Sequence, residues 1–92
     1  SRVKIGLSPE PRQIEAALKK RYAGHPFVRY VSLIDPLCDQ DGCLIRVGDQ
    51  LPDDMITIDY GHLSERGSIY VARRVTGPVI EGLLRDWEAA GR

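Results

Sequence analysis

A tight turn at residues 59–62 joins a short β-branched run, which ends at Asp59, to a helical pattern that begins at Ser64. Asp59 and His62 therefore stand at positions i and i+3 of the turn, where their Cα atoms can lie within about 7 Å. Gly61 lets the chain fold sharply, because glycine adopts positive φ without steric cost. A carboxylate this close can accept a hydrogen bond from one imidazole nitrogen and leave the other nitrogen as a base. The turn predicts the acid and base of a nucleophile–His–Asp triad, a group recognised by geometry rather than by sequence order.

A longer pattern surrounds this turn. It reads Asp59-x-x-His62-Leu63-Ser64-x-x-Gly67-Ser68, with Cys38-x-x-x-x-Cys43 upstream. The pattern resembles the C-terminal end of an SGNH (GDSL-like) domain. More narrowly, it is similar to the SGNH domains fused to membrane acyltransferases of the acyltransferase-three type, which O-acetylate bacterial surface polysaccharides. The resemblance covers residues from about Pro36 to Val75 and is loose before them.

This resemblance implies a fold, a site and a location. The fold would be α/β, with three layers (α/β/α) and a mostly parallel sheet of the SGNH or flavodoxin-like kind. Asp59 and His62 would be the catalytic acid and base, and Cys38 and Cys43 would form a disulfide of the family. The parent protein would be anchored in the bacterial inner membrane, with this domain on its periplasmic or extracellular face.

The chain lacks the motif that carries the nucleophile in this family. None of its serines follows Gly-Asp, since Gly48-Asp49 precedes Gln50, and no asparagine is present to form the family's oxyanion hole. Residues 1–92 are therefore expected to be the C-terminal fragment of a single SGNH-type domain, whose N-terminal remainder supplies the serine. A chain that starts at Ser1 rather than at an initiating Met agrees with this expectation. The five serines are Ser1, Ser8, Ser32, Ser64 and Ser68.

The balance of charged residues bears on whether the chain binds nucleic acid or acidic membranes. Thirteen basic side chains balance thirteen acidic ones, so the net charge gives no general attraction to nucleic acid or to acidic membranes. Because of this balanced charge, we expect no nucleic-acid partner. No apolar run approaches the length that spans a bilayer, and no signal peptide is visible.

The two cysteines flank a turn signal. Asp41-Gly42 lies between Cys38 and Cys43, and such a turn brings its flanks together, so a disulfide is geometrically reasonable. A disulfide would indicate an oxidising space such as the periplasm. The spacing alone leaves open two reduced thiols in a cytosolic protein, and the resemblance to the SGNH family favours the disulfide.

Metal sites and cofactors are not expected. His25 and His62 lack the spacing of a zinc finger. Two acidic pairs lie in loops that lack the closing Glu of an EF-hand, so surface turns are the better interpretation. These pairs are Asp39 with Asp41 and Asp53 with Asp54.

Local patterns predict several elements. Residues 3–7 alternate as at the end of a strand, and Ser8-Pro9 predicts a helix start, with Ser8 as N-cap. The apolar side chains of this helix recur at helical spacing, with Glu15 among the charged side chains on the other face, and Gly24 ends it. Further along we predict strands at 27–33 and 55–58, a short extension at 43–47, a helix from the Ser64 N-cap to about residue 75, a break at 76–78, and a last helix with an apolar face at 79–87.

The resemblance implies a serine-dependent O-acyltransferase that acetylates polysaccharide hydroxyl groups. Its partners would be an acyl donor, a polysaccharide or sugar acceptor, and a membrane acyltransferase domain that supplies the acyl group. The chemistry would also suit an SGNH-type esterase or deacetylase, with water as acceptor. A different class remains open, a non-catalytic α/β binding or scaffold domain in which Asp59 caps a turn and His62 is an ordinary half-buried histidine.

Overall fold

The computed structural model describes residues 1–4, 6–59 and 61–91. The chain forms two units. The first consists of Arg2–Cys43, and the second of Ser1 together with the chain from Leu44 onward.

The first unit contains two helices and a small sheet. Its strands are ordered β1-β3-β2, with β2 and β3 antiparallel and Cys38 opposite Cys43. Gln40 and Asp41 form the turn between them, and Cys38 and Cys43 are joined by the predicted disulfide. The elements are β1 (Arg2–Val3), α1 (Glu10–Tyr22), α2 (Ile34–Leu37), β2 (Cys38–Asp39) and β3 (Gly42–Leu44), whose last residue begins the second unit.

Helix α1 begins one residue later than predicted. Pro9 is its N-cap, and no side chain caps it, so the assignment of Ser8 as N-cap is wrong. Gly24 follows the helix with φ of +69°, a left-handed conformation that ends helices and favours glycine. The predicted termination at Gly24 is thus confirmed.

The buried side of α1 is not the predicted one. Glu15 is 5% exposed, whereas Ile14 is 60% exposed. The Glu15 carboxylate accepts hydrogen bonds from the hydroxyl groups of Tyr30, at 3.2 Å, and Ser32. A buried carboxylate needs such partners, and the residues that provide them lie 15 and 17 positions away.

The predicted strand at 27–33 does not form among the described residues. Phe27 is a bend and Val28–Ser32 have no regular structure. The β-branched composition of this segment favours an extended backbone, but a strand also needs a neighbouring backbone to complete its hydrogen bonds. Its contacts in the first unit are made by side chains, through the hydroxyl groups that reach Glu15.

The predicted three-layer α/β/α fold with a mostly parallel sheet is wrong for the described residues. The sheet has three strands of two or three residues and is antiparallel. Two residues connect β2 to β3, and a connection this short joins antiparallel strands, since parallel strands need a crossover of a dozen or more residues.

The second unit is mainly helical. Its helices are α3 (Glu65–Val71) and α4 (Gly77–Ala89), joined by a π turn at Ala72–Thr76. Ahead of α3, the predicted strand at 55–58 is present only as isolated antiparallel bridges, Arg46 with Met55 and Thr57 with Leu63. The apolar core of this unit consists of Ile56, Val71 and Val75, which are 7, 6 and 8% exposed.

The helix predicted to break at 76–78 instead continues through the π turn. The Gly77 N–H donates to the carbonyl oxygen of Ala72, five residues earlier. Pro78 comes next, in the first turn of α4. In a regular helix, proline lacks the N–H that the ladder needs, and its ring crowds the carbonyl four residues earlier. A wider π turn beside the proline lets the helix continue.

The apolar face predicted for the last helix is present but exposed. Ile80, Leu84 and Trp87 of α4 are 55, 52 and 55% exposed.

No described helix combines the length and the apolar composition needed to cross a membrane.

Replacing Gly67 with alanine should destabilise the chain by about 3 kcal/mol, because the added Cβ would overlap the carbonyl oxygen of Ile56. The matched control is Gly82→Ala in α4, where the nearest atom to an added Cβ is the Arg85 side chain at 3.9 Å. That change should stabilise the helix by about 0.5–1 kcal/mol. Urea unfolding measures both, and equal effects of the two substitutions would contradict the close packing at Gly67.

Removing the disulfide with the double substitution Cys38→Ser and Cys43→Ser should lower the free energy of unfolding by about 2 kcal/mol. The sequence separation of the cysteines is 5, and a loop this short gives a stabilisation at the low end in the chain-entropy model. Chemical unfolding of the oxidised chain and the double variant tests this. A mass measurement that finds two free thiols in protein never exposed to reductant would contradict the disulfide itself.

Candidate active site

The segment 56–64 folds back on itself and carries both predicted catalytic side chains. The Ile58 N–H donates to the carbonyl oxygen of His62 at 3.0 Å, and the Ser64 N–H donates to that of Ile56 at 3.0 Å. These two bonds flank the antiparallel bridge between Thr57 and Leu63. Tyr60, within the turn, lies outside the described residues. The backbone around the turn therefore holds residues 59 and 62 at its tip.

Ser64 connects this folded segment to α3. It is the N-cap of the helix, as predicted, and its hydroxyl accepts a hydrogen bond from the Gly67 N–H at 2.9 Å. The same hydroxyl donates to the carbonyl oxygen of Met55. Ser64 is 7% exposed, so its oxygen is occupied by structural bonds and is not positioned as a nucleophile.

Asp59 and His62 are in contact. His62 Nδ1 lies 2.9 Å from Asp59 Oδ1 and 3.0 Å from Oδ2. An ionised carboxylate can only accept a hydrogen bond, so in the neutral imidazole the Nδ1–H is the donor. The other ring nitrogen, Nε2, is then left as an acceptor. The spacing across the turn thus predicted the contact correctly, while the catalytic role of the two residues stays a prediction.

The Asp59 carboxylate is held in its ionised form. The Gly61 N–H donates to Oδ1 at 2.8 Å. This backbone hydrogen bond and, to a smaller extent, the hydrogen bond from the His62 side chain lower the pKa of Asp59 below its ordinary value. A folded-state pKa that is lowered contributes stability at a pH above the unfolded pKa, and the contribution disappears as the pH falls through the folded pKa. Asp59 therefore remains a hydrogen-bond acceptor for His62 throughout the neutral range.

Both side chains face solvent. The side chain of His62 is 72% exposed and that of Asp59 is 45% exposed. No described residue forms a hydrogen bond with His62 Nε2. The arrangement can orient an imidazole and accept a proton at Nε2, but no described serine hydroxyl forms a hydrogen bond with it.

A buried carboxylate in the same unit, paired with a half-exposed arginine, was not predicted from the sequence. Asp54, interpreted as part of a surface turn, is 5% exposed. Its Oδ1 accepts a hydrogen bond from Arg66 Nη1 at 2.8 Å, and its Oδ2 accepts one from the Gln50 N–H at 2.7 Å. The surface-turn interpretation is therefore wrong for Asp54, although Asp53 is exposed. Nothing in the pattern of two adjacent aspartates distinguishes the buried one.

The described residues contain no group of three or more His, Cys, Asp or Glu side chains that could hold a metal ion. The disulfide is a bond typical of proteins from oxidising compartments. Comparison of the chain with protein-family models, with curated proteins and with solved structures found no match.

His62→Ala should raise the pKa of Asp59, because the substitution removes one of the hydrogen bonds that stabilise the carboxylate. The pKa should stay below its ordinary value, since the Gly61 N–H still donates to Oδ1. Carboxyl ¹³C NMR titration of Asp59 measures this shift. His25→Ala, in the other unit, is the control and should leave the Asp59 titration unchanged. A pKa that is unchanged or lower in His62→Ala would contradict the ionised contact.

Proposed function

We propose that this chain is the C-terminal catalytic portion of a serine-dependent SGNH-type O-acyltransferase that acetylates polysaccharide hydroxyl groups. One observation carries the proposal, the hydrogen bond between His62 Nδ1 and the Asp59 carboxylate at 2.9 Å. The resemblance of the surrounding motif to the SGNH family supplies the reaction class. In this proposal the nucleophilic serine and the oxyanion donors come from an N-terminal part of the same domain.

In each half-reaction His62 Nε2 takes a proton from the attacking hydroxyl and then gives it to the leaving group. The serine oxygen attacks the acyl carbonyl while His62 Nε2 takes the serine proton, and this proton then goes to the leaving group of the donor. In the second half-reaction Nε2 takes the proton of a sugar hydroxyl, whose oxygen attacks the acyl-enzyme, and the imidazolium returns this proton to the departing serine oxygen. Asp59 keeps the proton of the neutral imidazole on Nδ1 and stabilises the imidazolium that forms in each step.

Hydrolysis is the second candidate, as in an SGNH-type esterase or deacetylase. The observation that favours it is the exposure of the His62 side chain, 72%, since water then has direct access to the base. A transferase must keep water from the acyl-enzyme. Acyl transfer therefore requires a cover over His62 that the described residues do not provide. In the proposed parent protein, the N-terminal part of the domain and a membrane acyltransferase domain stand beside this site, on the periplasmic or extracellular face of the membrane.

Turnover of a model acetyl ester by the intact parent domain tests the proposal. His62→Ala should lower kcat by about a hundredfold or more, because general base catalysis contributes about 10²–10⁴. Asp59→Asn should also lower kcat strongly, because the amide favours the wrong imidazole tautomer. His25→Ala is the matched control and should leave turnover unchanged. Product analysis with a sugar acceptor present separates transfer from hydrolysis.

Two outcomes would contradict the proposal. An intact domain whose turnover is indifferent to His62→Ala has no dyad mechanism, and the binding or scaffold alternative would then account for the chain. Enzymatic turnover by the 92-residue chain alone would show a nucleophile inside residues 1–92.

A further inference from the structure

A cleft in the second unit gathers cationic side chains that the dyad does not use. It has a volume of about 440 Å³, and its lining includes Arg66, Arg73, Arg74 and Tyr70. We call these four residues the arginine cleft. Two carboxylates, those of Asp54 and Glu65, also line it. A neighbouring cleft of about 300 Å³ shares Val47 and Tyr70 with it and adds Arg46.

The cationic side chains of the arginine cleft differ in what already occupies them. Arg66 donates to the buried carboxylate of Asp54 at 2.8 Å, so its charge is compensated within the fold. By contrast, no carboxylate of a described residue lies within 4.0 Å of the guanidinium nitrogens of Arg73 or Arg74. Arg73 and Arg74 are therefore the cations with capacity for a ligand.

Tyr70 positions one of these cations. The Arg74 guanidinium carbon lies 5.2 Å from the centre of the Tyr70 ring, within the range of a cation–π contact. Arginine keeps its N–H donors in the plane of the guanidinium group, in a fork that matches the geometry of a carboxylate or a phosphate. An aromatic contact with the guanidinium group thus leaves this fork available for an oxyanion.

The backbone of this region is unusual as well. Arg73 and Arg74 both lie in the π turn at Ala72–Thr76, and π turns are frequent at functional sites. The ion pair of Arg66 with Asp54 connects the loop before the dyad to α3. This helical segment therefore carries two cations, Arg73 and Arg74, seven and eight residues beyond the anchored Arg66.

We propose that the arginine cleft binds oxyanion groups, carboxylate or phosphate, of an acidic polysaccharide acceptor. That the ligand is a polysaccharide rests on the proposed function, whereas the selectivity for an oxyanion rests on the cleft alone. The net charge of the chain is zero, so attraction to an anion is local to this face rather than general. Arg73 and Arg74 supply charge-assisted hydrogen bonds to the anion.

Titration of the 92-residue chain, followed by NMR, tests this binding. The probes are a galacturonate oligosaccharide, its methyl-esterified form without charge, a glycerol-phosphate oligomer, and a single-stranded DNA oligomer of matched charge. The galacturonate or the glycerol-phosphate oligomer should bind at least about tenfold more tightly than the esterified sugar, since charged hydrogen bonds are involved. Which of the two binds more tightly identifies the anion. Raising the salt concentration should weaken the binding.

The variants separate the cleft from the dyad. The double substitution Arg73→Gln and Arg74→Gln should weaken binding of the acidic oligomer by about tenfold or more. Arg85→Gln, an exposed arginine of α4, is the matched control and should leave binding unchanged. His62→Ala should also leave binding unchanged, so a failure of the proposed catalytic mechanism would show in turnover while binding remains.

Three results would overturn the inference. The double variant could bind the acidic oligomer as tightly as the unsubstituted chain, or the esterified sugar could bind as well as the charged one. Tightest binding to the DNA oligomer would replace the polysaccharide with a nucleic acid as the ligand.

Discussion

The close approach of Gly67 to the carbonyl group of Ile56 determines how α3 meets the segment that carries the dyad. A side chain at residue 67 would overlap this carbonyl oxygen, which also accepts the Ser64 N–H at 3.0 Å. The Ser64 hydroxyl completes the junction by accepting the Gly67 N–H. The Ile56 carbonyl group thus binds the end of the folded segment through Ser64 and contacts the first turn of α3 at Gly67. The turn that carries His62 remains exposed to solvent.

The dyad that results is oriented but unprotected. Its carboxylate accepts hydrogen bonds from Gly61 and from His62, which fixes the imidazole and keeps the acid ionised. Electrostatic stabilisation of a transition state is strongest where water is excluded, yet the side chain of His62 is 72% exposed. The geometry suits the proton transfers of the proposed acyl transfer, and in that proposal the N-terminal part of the domain supplies the nucleophile, the oxyanion donors and the cover.

Interactions between near neighbours in sequence could be predicted, while those set by tertiary packing could not. The contact of Asp59 with His62 and the Ser64 cap span three residues each, and turn and capping chemistry determines them. Burial of Glu15 and of Asp54 depends on partners 12 to 17 positions away, and adjacent acidic residues look alike in a sequence. The parallel sheet that the resemblance implies is wrong for the described residues. An extended segment such as 27–33 becomes a strand only beside a partner backbone, which its own sequence does not specify.

The state of the His62 imidazole tests the central claim most directly. Long-range ¹H–¹⁵N NMR of the chain, at a pH where the ring is neutral, distinguishes a proton on Nδ1 from one on Nε2. We predict the Nδ1–H tautomer, because Asp59 accepts the hydrogen bond from Nδ1, and loss of that preference in Asp59→Ala. A neutral ring protonated mainly on Nε2 in the unsubstituted chain would contradict the account, since the nitrogen assigned as the base would then carry a proton.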